Sequence, residues 1–132
     1  MVIRKTMNNM EIYNVATALV ALHNKMVEKD MTFPVKVNFY FQKNMNALVE
    51  MAKELDELRS KIIMKYGTVS EDDETQVKIP EEQVDVVNKE LNDLFSLEQE
   101  IAVNTIKLDW FEGVNLNPNE VAAISFMIDE EE

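Results

Sequence analysis

The feature that most constrains the fold is the run from Pro34 to Tyr66, in which Phe41, Leu48, Met51, Leu55, Leu58 and Ile62 form one apolar stripe. From Leu48 onward these residues follow a 3-4-3-4 rhythm, which keeps their side chains on one face of a 3.6-residue turn. A strand would scatter them to both faces. Pro34 suits a helix start, where its missing N–H is not needed, and Gly67 suits the position just past the end, where φ often turns positive. One stretch is ambiguous: Val35, Val37, Phe39 and Phe41 alternate with Lys36, Asn38, Tyr40 and Gln42, as a half-buried strand would. Helix is retained for it because the longer period runs through Phe41.

At about 1.5 Å per residue such a helix is a rod of roughly 50 Å. A compact globule of this chain length has a diameter of only about 36 Å. The rod therefore overhangs its globule, or meets a second copy or a partner.

Two shorter segments carry the same rhythm: Ile12, Val15, Leu19, Leu22 and Met26, then Val84, Val87, Leu91 and Leu94. Asn8 with Glu11 reads as a capping box for the first, while Pro80, Glu81 and Glu82 set a proline and two carboxylates at the positive end of the second. Three narrow stripes bury one another most simply in an antiparallel bundle. Residues 76–79 and 100–107 are rich in β-branched side chains and are expected to pair. Near the end, Asn117, Pro118 and Glu120 mark a short helix with Val121, Ile124 and Ile128 inward and Leu116 stapled to Val121. The expectation is a mainly α fold with minor β content. It is an elongated antiparallel helical bundle around one long helix (about 34–66), with a hairpin-like pair (about 76–79 and 100–107), in a single domain over residues 1–132. Residues 69–75 read as an exposed acidic loop and 129–132 as a frayed acidic tail.

Composition bounds the function. The 132 residues include no cysteine and only two glycines, Gly67 and Gly113. Thiol chemistry and disulfides are thereby excluded, and neither a Walker loop nor a dinucleotide fingerprint can be built. The amino end lacks the apolar core of a signal peptide, and the longest near-apolar run, Val15–Leu22, is too short to span a bilayer. A cytoplasmic protein without membrane contact is expected. Its net charge of −12 is uneven: residues 1–66 carry ten Lys or Arg against seven Asp or Glu, whereas residues 67–132 carry three against eighteen. An acidic half repels phosphate backbones, which disfavours nucleic acid and favours a host or phage protein with a basic surface.

No residue set points to catalysis. His23, the sole histidine, lies beside an apolar stripe without a nucleophile near it, and is read as structural. The run Glu71–Glu74 lacks the glycine and the alternation of a calcium loop, so no metal or other cofactor is expected. The candidate ligand site is Lys36, Tyr40 and Lys43, at i, i+4 and i+7 near the positive end of the long helix, with Asn44 and Gln42 beside them. These residues can hold a phosphate and stack a base. Trp110 and Phe111 are adjacent and cannot both point inward from a regular element, so one is a candidate contact anchor. Leu58, Ile62 and Tyr66, at the overhanging end, are candidates for contact with a second protein or a second copy.

The order of an amphipathic helix, Phe33-Pro34-Val35-Lys36-Val37, a long helix with Gln42-Lys43-Asn44, and a closing stretch carries a resemblance. That stretch comprises Ile106-Lys107-Leu108-Asp109 through Glu112-Gly113, Leu116-Asn117-Pro118 and Phe126-Met127-Ile128. Over nearly its whole length the chain resembles a family of small uncharacterised proteins encoded by phages and prophages of Gram-positive bacteria. The resemblance implies viral origin and expression in a bacterial cytoplasm. Together these readings favour a non-enzymatic phage protein that binds a host factor, with a defence component as a candidate target. A sponge for a signalling nucleotide and a self-associating virion assembly protein are the alternatives.

Overall fold

A computed structural model describes residues 1–69, 76–111 and 113–129. Among them the chain runs β1 (Val2–Asn8), α1 (Asn9–Glu28), α2 (Val35–Tyr66), β2 (Thr68–Val69), β3 (Val77–Lys78), α3 (Val84–Ser96), β4 (Glu98–Asn104), β5 (Ile106–Lys107), α4 (Pro118–Ile124) and β6 (Ile128–Asp129). The fold is mainly α with minor β, organised on the long helix.

Residues 35–41 are helical, because Val37, Phe41, Met45 and Leu48 recur at helical spacing and all are buried. Pro34 serves as the N-cap, and its carbonyl accepts the first α2 hydrogen bond from the Asn38 N–H at 2.9 Å. The turn before it reverses the chain through Asp30, whose φ of 54° lies in the left-handed region that Asp tolerates better than most residues. Met31 N–H returns to the Met26 carbonyl at 2.8 Å and Asp30 N–H to that of Val27 at 3.1 Å, closing α1 in a Schellman-type turn. The short connection makes α1 and α2 antiparallel neighbours. Ile12, Ala16, Leu19, Leu22 and Met26 of α1 face the buried residues of α2.

Both capping boxes form. Asn8 Oδ1 accepts from Glu11 N–H at 2.8 Å, and Asn117 Oδ1 accepts from Glu120 N–H at 2.9 Å. The Glu120 carboxylate in turn accepts from Asn117 N–H at 3.1 Å and sits 3.4 Å from Lys25 Nζ. The Asn117 amide first and Lys25 second hold Glu120 below its ordinary pKa. A carboxyl with a lowered folded pKa stabilises above its unfolded pKa and loses that contribution as pH falls through the folded value.

The strand pairings differ from expectation. Residues 76–79 and 100–107 do form strands, but they do not pair with each other. β4 runs antiparallel to β1 over seven residues, from Val2 opposite Asn104 to Asn8 opposite Glu98. β3 closes a two-residue ladder with β2, and β5 lies parallel to β6. β1 escapes a sequence reading because its core-facing positions are Ile3, Lys5 and Met7, so the apolar alternation breaks at Lys5. Arg4 on the outer face reaches Glu100 at 3.4 Å. Asp129 belongs to β6 and is not frayed, and Val69 belongs to β2; the rest of the acidic loop and residues 130–132 lie outside the described residues.

Expectations about burial and about Gly67 change. Val121 is exposed and Ile128 half-buried in β6, so Ile124 is the inward residue of α4. Val84 is exposed on α3, where Val87 is buried. Gly67 stays extended at φ −100°, and its requirement is room: a Cβ there would press on Val77 Cγ1 and lie 2.9 Å from the Ile63 carbonyl oxygen.

Two stability experiments follow. Gly67→Ala should lower the urea midpoint by the equivalent of about 1–3 kcal/mol, because relief requires shifting Val77 of the β2–β3 ladder and the Ile63 carbonyl in the last turn of α2. In acid titrations of stability below about pH 4.5, Glu120→Gln should show a shallower loss than the parent chain, since the parent must protonate a carboxylate that its neighbours favour.

Candidate functional site

The two regions singled out in the sequence converge. Lys36, Tyr40 and Lys43 lie along the first turns of α2, and Trp110 lies in the 3-10 turn Leu108–Phe111 that packs across them. Lys36 Nζ sits 4.0 Å from the centroid of the Trp110 ring. Tyr40, one turn on, stacks on the same indole with 6.1 Å between centroids and planes 24° apart. Phe39 meets the Tyr40 ring edge-to-face at 5.2 Å, and Lys43 Nζ lies 4.8 Å from the Phe39 centroid. Three aromatic rings and two ammonium groups thus form one continuous surface cluster.

Helical geometry explains the cluster. Val37 and Phe41 claim the core face, so Phe39, two residues and about 200° of helix rotation from each, points away from the core and is left 54% exposed. Phe39 is the residue sequence reasoning missed. Its signal was the strand-like alternation of Val35, Val37, Phe39 and Phe41, which on a helix sends Phe39 outward once Phe41 points in.

Trp110 and Phe111 divide as their adjacency requires. Phe111 is buried against Phe33 edge-to-face at 5.6 Å, and Phe33 also contacts Phe41 at 5.1 Å. Phe111 is therefore a core residue and no contact residue, while Trp110 remains half-exposed. Asn44 is likewise withdrawn from the candidate ligand set. It is buried, its Nδ2 donates to the Asn104 carbonyl at 2.9 Å, and its Oδ1 accepts from Asn104 N–H at 2.8 Å. Gln42, beside it, reaches the His23 ring nitrogen at 3.3 Å, so the one histidine has a structural partner.

The other candidates lie at the far end of α2. Beyond Leu55 no residue of this helix is buried: Leu58 is 43% exposed, and Ile62 and Tyr66 are half-buried. α3 covers part of this end, and Lys65 reaches Glu90 at 3.3 Å while lying 5.0 Å from the Tyr66 centroid. The hydrogen bond to Tyr66 and the Glu90 carboxylate raise the Lys65 pKa, which keeps that ammonium charged. The stripe is thus a core seam from Phe41 to Leu55 and a surface feature after it.

Among the described residues no group of three His, Cys, Asp or Glu side chains could hold a metal ion. The run Glu71–Glu74 lies outside the described residues. No described helix is long and apolar enough to cross a membrane. Comparison with protein families, curated proteins and solved structures finds no match.

Replacing Asn44 by Leu should cost about 2–4 kcal/mol in urea unfolding. It strips the half-buried Asn104 N–H and C=O of their Asn44 partners at once and sets a hydrocarbon side chain against both.

Proposed function

We propose that this chain is a non-enzymatic, phage-encoded protein that works by binding a host protein, with defence components as the class of target. The observation that carries the reading is the surface cluster of exposed Phe39 with half-exposed Tyr40 and Trp110. Tryptophan and tyrosine dominate the energetics of protein contacts, and here their geometry is fixed beforehand by α2 and by the buried Phe111 next to Trp110.

The chemistry of the partner follows from charge. The protein carries a net −12, which attracts a basic surface over distance. At close range the cluster already accepts cations, since its own Lys36 and Lys43 lie against the aromatic rings. Both lysines are exposed on flexible stems, so a partner's Arg or Lys can take the ring position that Lys36 holds.

Capture from host lysate by the parent chain, Trp110→Ala and Lys36→Ala tests this. Truncating the indole should weaken capture about 30-fold or more, the range of an aromatic anchor. Removing the Lys36 ammonium should strengthen capture of a basic partner, because the competing cation is gone. Capture that survives Trp110→Ala rejects the anchor, and loss of capture on Lys36→Ala assigns an acidic partner.

One specific observation favours a second reading, in which the protein sequesters a signalling nucleotide. Lys36, Tyr40 and Lys43 share a surface with Trp110, which adds a second ring for stacking. A thermal-shift panel of mono-, di- and cyclic nucleotides discriminates the two, since a tight ligand raises the melting temperature by mass action.

A further inference from the structure

The second half of α2 carries a charge pattern that the fold of a single chain uses only in part, through the Lys65–Glu90 pair to α3. Residues 50–57 hold Glu50, Glu54, Asp56 and Glu57 against Lys53 alone, a net of −3, whereas residues 58–66 hold Arg59, Lys61 and Lys65 with no acid, a net of +3. The helix dipole does not account for this segregation, because its influence fades within the terminal turns and these blocks meet in mid-helix. Nor do contacts within the chain. Among the described residues Glu54, Glu57 and Lys61 make no ion pair, the Lys53–Glu50 and Arg59–Asp56 pairs join side chains three apart on the same helix, and only Lys65 reaches another element, at Glu90 of α3.

We infer that this face is a self-complementary surface on which a second copy of the chain docks, with the two α2 helices antiparallel about a twofold axis. The positions fix the axis. Glu54 and Lys61 lie at equal distances on either side of the point between Glu57 and Leu58, and Glu50 and Lys65 lie at equal, larger distances from that same point. Seven residues separate Glu54 from Lys61, close to two full turns, so both project from one side of the helix. A twofold axis through that point sets Glu54 of each copy against Lys61 of the other and Glu50 against Lys65. One operation therefore satisfies four cross-chain pairs, as an isologous interface requires. Leu58, exposed beside the axis, meets its symmetry mate and gives the charged face an apolar centre. A parallel arrangement would instead set like charges opposite one another.

Physical scale sets the strength. A single pair of largely polar helix faces is a small interface, and exposed ion pairs are individually weak, so the dimer forms reversibly and depends on concentration and salt. The surface is separate from the Phe39–Tyr40–Trp110 cluster, so the proposal stands apart from the reading of that cluster.

The test is charge reversal followed by sedimentation velocity over a concentration series. Because Glu50 and Lys65 also have partners within the chain, Lys53 and Glu90, the substitutions are placed at Glu54 and Lys61. The parent chain should dimerise at low salt and dissociate as salt is raised. Glu54→Lys alone and Lys61→Glu alone should each weaken the dimer on the order of tenfold or more, since each turns two attractive contacts into repulsive ones. Both positions are exposed, so melting curves of the monomers should match the parent. Mixing the two single variants should restore dimerisation as a heterodimer, and the doubly reversed chain should dimerise by itself. A parent chain that stays monomeric at its solubility limit overturns the proposal. So does a dimer indifferent to both reversals, or a mixture of the variants that fails to associate.

Discussion

The structure depends on one side-chain amide. Asn44 presents its Nδ2 and Oδ1 to the carbonyl and N–H of Asn104, and so does for that residue what a neighbouring strand would do. The position is where β4 gives up its partner: Asn104 is the last residue paired with β1, and Ile106 begins the pairing with β6. Between them, Thr105 turns its N–H and hydroxyl to the Met1 carbonyl at 2.8 and 2.9 Å. Backbone groups at such a junction would otherwise be buried without partners, at a cost that few contacts offset. The long helix thereby fixes where one strand pairing stops and another starts.

A second buried asparagine ties the opposite end of the same ladder. Asn9 Nδ2 donates to the Leu94 carbonyl at 2.8 Å, and its Oδ1 accepts from Gln99 Nε2 at 2.7 Å. Its own N–H reaches the Leu97 carbonyl at 2.9 Å. The start of α1, the end of α3 and the start of β4 thus meet at one residue. Both asparagines sit on helices among apolar neighbours, where a hydrocarbon side chain would pack as well but would specify no partner.

The helices were legible because their signals are local. Period, both asparagine capping boxes and the Pro34 boundary each depend on residues within a few positions of one another. The strand partners were not, since β1 and β4 are separated by most of the chain and β-branched content does not say which strand meets which. Asn44 misled for a related reason: beside Lys43 it looks like a polar ligand group, and only the fold brings Asn104 to it. The candidate site was legible in pieces, with Lys36, Tyr40 and Lys43 found by helical spacing and Trp110 by its adjacency to Phe111. What joins them is the tertiary contact between α2 and the turn at Leu108–Phe111, and no local pattern records it.

The antiparallel pairing of β1 with β4 also governs the order in which the molecule can assemble. α1 and α2 are joined by a tight turn and can close on one another early, whereas Val2 must wait for Asn104 before its hydrogen bonds exist. During synthesis β1 therefore emerges well before β4 and waits for it, with its backbone edge open throughout the interval. Arg4 and Lys5 give that waiting strand positive charge, so two unfinished chains brought edge to edge repel before either has found its own β4.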